Sequence, residues 1–203
     1  MLMPCALCKL NNQLSYSHIV PEFMYQQMYD KTGSFMALSI DPMDANRRFR
    51  KGLRENLLCS DCERKLGKWE SYAATFFYGG KIAPRMDGKL FIFEKLQYHD
   101  LKLFFLSLLW RFSVTTLTEF EGLKLIPKHQ EKLRLMLLAD NPGGCMEFPC
   151  YVQVINRKGN FLGGFMAPPT SAKFKAHHVW QFVIAGFYFT FFVLVQRECP
   201  FWN

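Results

Sequence analysis

Two C-x-x-C pairs, Cys5 with Cys8 and Cys59 with Cys62, are the most specific chemical signal in this sequence. Two residues between paired cysteines allow one tight turn to present both sulfurs to a single ion. Thiolates are soft ligands, and four of them in a tetrahedral arrangement suit zinc. We therefore predict one structural Zn²⁺ ion bound by all four sulfurs. The alternative is a set of four free or redox-active thiols.

The other three of the seven cysteines, Cys145, Cys150 and Cys199, have no partner at a ligand spacing. We predict that they are ordinary core residues. The first thirteen residues hold no basic segment followed by an apolar run, so we expect no signal peptide. We therefore expect a cytoplasmic protein whose paired cysteines bind metal and do not form a disulfide framework.

Positive charge is concentrated around the second cysteine pair. Residues 46–68 carry eight Lys or Arg against three Asp or Glu, a net +5 of the chain's +8. Neutralisation of phosphates by such side chains is the main sequence-independent part of nucleic-acid affinity. We predict a nucleic-acid partner, with DNA preferred, that is contacted by Arg47, Arg48, Arg50, Lys51 and Arg54. The alternative is a solvated basic loop that keeps an apolar protein in solution.

Two short sequences complete a longer pattern around the cysteines. SHIVP occupies residues 17–21, and LLCSDCE occupies residues 57–63. Over about residues 5–70, a third of the chain, this order resembles the zinc-bound branch of the HNH, or ββα-metal, nucleases. That branch reads C-x-x-C, then Asp-His-Ile-x-Pro, then Asn-Leu-x-x-Leu-Cys-x-x-Cys-His. The resemblance implies two strands and a helix stapled by zinc.

The resemblance also implies roles for individual residues. His18 matches the general base, and an imidazole suits this role because its pKa lies near neutrality. Glu63 matches the metal ligand after the fourth cysteine, usually His or Asn, and a carboxylate binds Mg²⁺ or Mn²⁺ well. Arg54 stands where the family has its middle Asn, and Asn56 takes that role after a small shift. Ser17 stands where the family usually has a second metal ligand.

Three functions are compatible with these residues. The resemblance implies a metal-dependent endonuclease that hydrolyses DNA phosphodiester bonds, and bacterial defence is a common setting for the family. The second is a catalytically degenerate HNH-like zinc module for nucleic-acid binding or partner docking, in which His18 only packs or hydrogen-bonds. The third is membrane anchoring by residues 179–195. We expect no membrane association, because this stretch is short and is rich in aromatic and β-branched residues.

The N-terminal elements must position these side chains. We predict an α+β fold in which residues 1–87 form the zinc-stapled ββα-metal domain. A turn is expected at Asn11–Asn12, followed by a short strand and a short helix that starts near Pro21. Residues 30–46 read as a loop or ribbon with turns at residues 32–33 and 41–42. A longer helix is expected after the second cysteine pair.

Residues 88–203 are expected to form a helical and β domain that provides a surface for a protein partner. Apolar residues at helical spacing predict a core helix over residues 99–116, and a second helix starts near Pro127 and ends at residues 141–143. A hairpin is expected to turn at residues 158–160. The apolar residues 179–195 are predicted to form one or two buried strands.

Overall fold

The computed structural model describes residues 2–39, 43, 45–79, 85–88, 90–174 and 177–193. Helices and sheets are both present, which confirms the α+β class. The helices are α1 (Glu22–Gln26), α2 (Ser60–Tyr78), α3 (Tyr98–Val114) and α4 (Pro127–Leu138), with a 3₁₀ turn at Thr118–Phe120. The strands are β1 (Met3–Pro4), β2 (Asn11–Asn12), β3 (Leu14–His18), β4 (Ser34–Ala37), β5 (Arg47–Arg50), β6 (Arg54–Cys59), β7 (Arg85–Asp87), β8 (Leu90–Ile92), β9 (Cys150–Val154), β10 (Asn156–Arg157), β11 (Asn160–Phe161), β12 (Phe165–Phe174), β13 (His177–Ile184) and β14 (Phe187–Val193).

A ββα unit occupies the N-terminal part of the chain. Strand β3 pairs antiparallel with β6, and α2 begins at the residue directly after β6. Leu57 is an extra residue on β6 between two regular stretches of pairing, so β6 bulges there. The register then places His18 opposite Arg54 and Ser17 opposite Glu55. Acidic residues in the first turn of α2 favour a helix start at this position.

The predicted turn at Asn11–Asn12 is wrong. These residues form β2, which pairs with β1 on the other side of the first cysteine pair. The chain turns earlier, where the Lys9 N–H donates to the Cys5 carbonyl oxygen at 2.9 Å. Lys9 has φ of 65°, the left-handed conformation that lets the chain fold back after a tight turn. Cysteine spacing therefore predicted a turn more reliably than the Asn pair did.

A six-stranded sheet covers the other side of the molecule, in the order β5-β4-β12-β13-β14-β9. Only the β4–β12 pair is parallel. Strands β13 and β14 turn at Ala185–Gly186, where both residues have positive φ, as in a two-residue type I′ hairpin. Lys158–Gly159 makes a similar turn between β10 and β11. The predicted hairpin and the predicted buried strands are therefore confirmed.

Helix α3 is the central element of the core. It is buried on nearly all sides, as expected of a helix without a polar face. Its Phe112 and Phe105 rings lie 4.7 and 6.0 Å from Phe182 and Phe189 of the six-stranded sheet. Helix α4 begins at Pro127, as predicted, and ends at Leu138. Both predicted helices are present, but only three residues of α4 are buried, so the expectation of a core helix is confirmed for α3 and wrong for α4.

The two predicted domains share structure. Strands β4 and β5 come from the N-terminal segment, yet β4 pairs with β12 from the C-terminal segment. Helix α2 packs against α3, and buried residues from both segments form one hydrophobic cluster. The division after residue 87 stays a prediction, and it does not coincide with a boundary between sheets.

Three smaller predictions have mixed outcomes. Cys145 is exposed and Cys150 is only partly buried, so the expectation of core cysteines is wrong for Cys145. Cys199 and the predicted turn at residues 41–42 lie outside the described residues. Within the described ranges, no helix combines the length and the apolar character needed to cross a membrane.

Candidate metal centre and adjoining site

The four paired cysteines converge on one point. The sulfur atoms of Cys5, Cys8, Cys59 and Cys62 all lie within 4.8 Å of one another, and the Cys8 and Cys59 sulfurs are 3.9 Å apart. Sulfurs at the corners of a tetrahedron around a metal at about 2.3 Å are about 3.8 Å apart. All six described cysteines are free thiols. The four sulfurs therefore fit one tetrahedral metal ion.

The protein environment favours thiolate at Cys5. Burial alone would raise the pKa of the Cys5 thiol, but backbone N–H donors from Cys8, Cys59 and Leu7 outweigh burial and lower it to about 7. The Cys59 N–H lies 3.3 Å from the Cys5 sulfur. Burial raises the pKa of Cys62, whose neighbours are the other three sulfurs. Such a cluster needs a cation before all four sulfurs can lose their protons together.

Backbone and side-chain bonds hold the first cysteine turn against the rest of the protein. The Ala6 N–H donates to the Leu57 carbonyl oxygen of β6 at 3.0 Å. Arg134 of α4 donates from Nη1 to the Leu7 carbonyl oxygen at 2.6 Å. The turn is therefore fixed to both the ββα unit and the C-terminal segment.

Ser17 and Glu63 lie together on the face of the β3–β6 ribbon that packs on α2. The Ser17 hydroxyl accepts the Leu58 N–H at 3.1 Å and donates to the Ser15 carbonyl oxygen at 3.2 Å. Burial raises the pKa of Glu63, and the nearby Ser17 hydroxyl and the charge of Arg111 oppose this shift. The Glu63 Oε1 atom is buried and lacks a hydrogen-bond partner among the described residues. A cation is a suitable partner for such an oxygen.

His18 lies at the end of β3, next to Ser17. Burial and the charge of Arg54 lower its pKa, while Glu22 opposes the shift. The ring is therefore neutral near pH 7. Its Nε2 atom is 2.7 Å from a Glu22 carboxylate oxygen, although the ring N–H direction does not meet hydrogen-bond geometry. Gly52 is needed beside the ring, because a Cβ atom there would lie 2.7 Å from the His18 Cδ2 atom.

Arg111 of α3 links three elements under this site. Its side chain is 1% exposed, and Nη2 forms an ion pair with Glu70 of α2 at 2.8 Å. Its Nη1 donates to the His18 carbonyl oxygen at 3.1 Å, and Nη2 also donates to the Ser107 hydroxyl at 3.2 Å. The C-terminal segment therefore supplies the cation that holds the end of β3 against α2.

Asn56 lies apart from Glu63. It is exposed and stands opposite Tyr16 in the β3–β6 register, so both side chains leave from the same face of the ribbon. Glu63 approaches Ser17, which leaves β3 on the other face. The structure therefore brings Ser17 and Glu63 together on one face of the ribbon and places Asn56 on the other face, which it shares with His18.

The predicted basic cluster is partly neutralised within the protein. Arg47 forms an ion pair with Glu119 at 3.0 Å, and Arg48 pairs with Asp30. Arg54 lies 3.8 Å from Glu22. Arg50 and Lys51 are exposed and form no ion pair with a carboxylate of the described residues. These two residues are the free part of the cluster.

Sequence reasoning missed Glu22, Glu70 and Arg111. Glu22 follows His18 by four residues, and a helix starting at Pro21 carried enough information to place it near the ring. Arg111 lies 93 residues from His18, and nothing in the sequence links the two.

Comparison with known proteins gives no match: no protein-family model, curated protein or solved structure matches the chain. The resemblance to HNH nucleases therefore depends on the cysteine spacing, the order β3, β6, α2, and the positions of His18 and Glu63. We carry it forward as a proposal.

Removal of the metal should unfold the ββα unit. Cys59→Ser removes one sulfur at the start of α2, so we expect the variant to bind metal poorly and to melt at a clearly lower temperature. Cys145→Ser is the matched control, because Cys145 is exposed and outside the cluster. Circular dichroism melting with and without a chelator measures the effect. A metal-free protein that keeps its melting temperature would contradict the assignment.

Arg111→Met should lower the free energy of unfolding by about 3 kcal/mol, because it leaves Glu70 without its buried partner. The double variant Arg111→Met, Glu70→Gln should recover part of this loss. Arg64→Met is the control, since the Arg64–Asp61 pair is 74% and 80% exposed and should be worth below about 1 kcal/mol. Urea unfolding measures all three. Equal small losses for Arg111→Met and Arg64→Met would show that the Arg111–Glu70 ion pair contributes little to the free energy of unfolding.

Proposed function

We propose that this chain is a zinc-stapled ββα-metal module that hydrolyses DNA phosphodiester bonds. The observation that carries the proposal is the position of Ser17 beside Glu63, with His18 next along β3. The HNH pattern has metal ligands at the first two positions and the general base at the third. The order of two antiparallel strands and a helix that starts within the second cysteine pair supports the same class.

Zinc is the metal that best suits the four-sulfur centre. Four thiolates form the common ligand set of structural zinc sites, and zinc imposes no geometry other than the tetrahedron that the sulfurs favour. All four ligand positions are filled by protein, so this ion has no open site for substrate. Its role is to fix the strands and the helix that carry His18 and Glu63.

His18 is the proposed general base. Because its ring is neutral near pH 7, it can take a proton from the water that attacks the phosphorus atom. Glu22 lies against Nε2 and would stabilise the imidazolium that results. Arg111 holds the His18 carbonyl oxygen and therefore limits movement of the ring's backbone.

Glu63 is the proposed ligand of a second, divalent ion. Its unpartnered Oε1 atom is the available ligand, and Mg²⁺ or Mn²⁺ often binds proteins through one or two carboxylates with water in the remaining positions. Such an ion would neutralise charge on the scissile phosphate and leaving oxygen. Ser17 supplies no carboxylate, so the protein would hold this ion with fewer ligands than the HNH pattern provides.

DNA is the proposed partner because positive charge remains beside His18. Lys51 precedes Gly52, which contacts the His18 ring, and Arg50 is the next residue along the chain. The Ile19 N–H donates to the Leu53 carbonyl oxygen at 3.0 Å, so residues 50–54 run alongside the end of β3. These side chains would contact phosphates on either side of the bond that is cleaved. Cytoplasmic location and a protein partner for the C-terminal segment remain predictions.

A catalytically degenerate module for nucleic-acid binding or partner docking is the second candidate. Three observations favour it. Glu22 occupies the Nε2 side of His18, and the Ser17 hydroxyl is already used by the backbone of β3 and β6. Asn56 also lies apart from Glu63. This candidate keeps the structural zinc and predicts no cleavage.

His18→Ala should reduce Mg²⁺- or Mn²⁺-dependent cleavage of DNA by at least about 10²-fold, the usual contribution of a positioned base. The fold and the bound zinc should be unchanged. Glu63→Gln should have a similar effect through weaker metal binding, which excess metal should partly reverse. Ser17→Asp should leave activity equal or higher, because it restores a carboxylate beside Glu63. Nicking of plasmid DNA measures the rates.

His178→Ala is the matched control, since His178 is an exposed histidine on β13. Cleavage that survives His18→Ala would place the chemistry elsewhere and contradict the proposal. No cleavage of DNA or RNA by the parent protein with Mg²⁺ or Mn²⁺ would favour the degenerate module.

A further inference from the structure

The outer face of the β3–β6 ribbon carries an exposed aromatic ring. Tyr16 is 65% exposed, although tyrosine has a large apolar surface that folding normally covers at least in part. Within the described residues, β3 and β6 pair only with each other, and the inner face of the ribbon packs on α2. Helix α1 covers the outer face at His18, whose ring lies 6.1 Å from that of Tyr25. The end that carries Tyr16 and Asn56 stays open.

Tyr16 and His18 share this outer face. They are two residues apart on β3, and their partners Asn56 and Arg54 leave β6 on the same side. Alternate residues of a strand are about 7 Å apart. That separation is comparable to one nucleotide of an extended strand, so a phosphate at His18 would place the neighbouring base near Tyr16.

The charge around this face suits a polyanion. Arg54 lies on the face itself, and the exposed Arg50 and Lys51 lie on the chain that leads into β6. Glu22 is the carboxylate that contacts this group, through both His18 and Arg54. The remaining balance is positive, and it lies beside an aromatic ring and an exposed amide. Aromatic rings next to a basic groove are the usual means of binding unpaired strands, because every base has a face that can stack.

We infer that Tyr16 stacks on an unpaired base next to the cleaved bond, so the site takes single-stranded or locally unpaired DNA. Asn56 lies opposite Tyr16 and would hydrogen-bond to the edge of the stacked base or to its sugar. A paired base in a duplex has both faces covered by its neighbours and could not use the ring. This inference depends on the proposed function for the position of the phosphate at His18.

Binding can be tested separately from cleavage by using His18→Ala in buffer without Mg²⁺ or Mn²⁺. Fluorescence anisotropy would follow a labelled mixed-sequence oligonucleotide, alone and annealed to its complement. Adding Tyr16→Ala should weaken single-strand binding about tenfold, the scale of one lost stacking contact. Tyr16→Phe keeps the ring and should stay within about twofold, and duplex binding should not change. Tyr98→Ala removes a tyrosine that is 46% exposed at the first turn of α3 and should have no effect.

Equal affinities for Tyr16→Ala and Tyr16→Phe would overturn the inference, as would the absence of single-strand binding by the starting protein. Neither result would affect cleavage of duplex DNA by His18 and Glu63, so the proposed function would survive. Conversely, a Tyr16-dependent preference for single strands in a protein that cleaves nothing would support the binding site and favour the degenerate module.

Discussion

Convergence of the four cysteine sulfurs is the constraint on which the rest of this structure depends. It joins residues 5–8 to residues 59–62, although Cys8 and Cys59 differ by 51 in residue number. Strand β3 begins shortly after the first pair, and α2 begins within the second. A single ion bound by these sulfurs would fix where β3 starts relative to β6 and α2. Glu63 lies beside Ser17 because β3 and α2, which carry these two residues, both start next to the cysteine cluster.

Two arginines of the C-terminal segment also hold the N-terminal elements in place. Arg111 joins the His18 carbonyl oxygen to Glu70, and Arg134 holds the Leu7 carbonyl oxygen in the first cysteine turn. Both arginines come from helices that pack into the shared core. A ββα unit of this size has little core of its own, so it gains stability from its packing against α3 and α4. This explains why residues after 88 cannot be treated as an independent appendage.

Local signals correctly predicted that the four paired cysteines converge, and they predicted the order of the main elements. Cysteine spacing, Pro127 and Gly159 are signals that act within a few residues, and the structure contains the turns and the helix start that they predict. Apart from the turn expected at Asn11–Asn12 and the burial expected for Cys145 and α4, the errors concern contacts between distant residues. Arg47 and Arg48 read as free charge because their partners Glu119 and Asp30 are distant in the chain. The sequence places Arg111 within an apolar helix. No local pattern shows that its side chain reaches the His18 carbonyl oxygen.

The site itself has one feature that favours catalysis and one that opposes it. Glu63 has a buried oxygen that suits a cation, while His18 is already in contact with Glu22. Both candidate functions require the same metal-stapled framework. The most direct test of that framework is X-ray absorption at the zinc edge of the purified full-length protein. We predict one zinc ion per chain with four sulfur ligands at about 2.3 Å. Oxygen or nitrogen in the first shell, or a folded protein without bound metal, would contradict it.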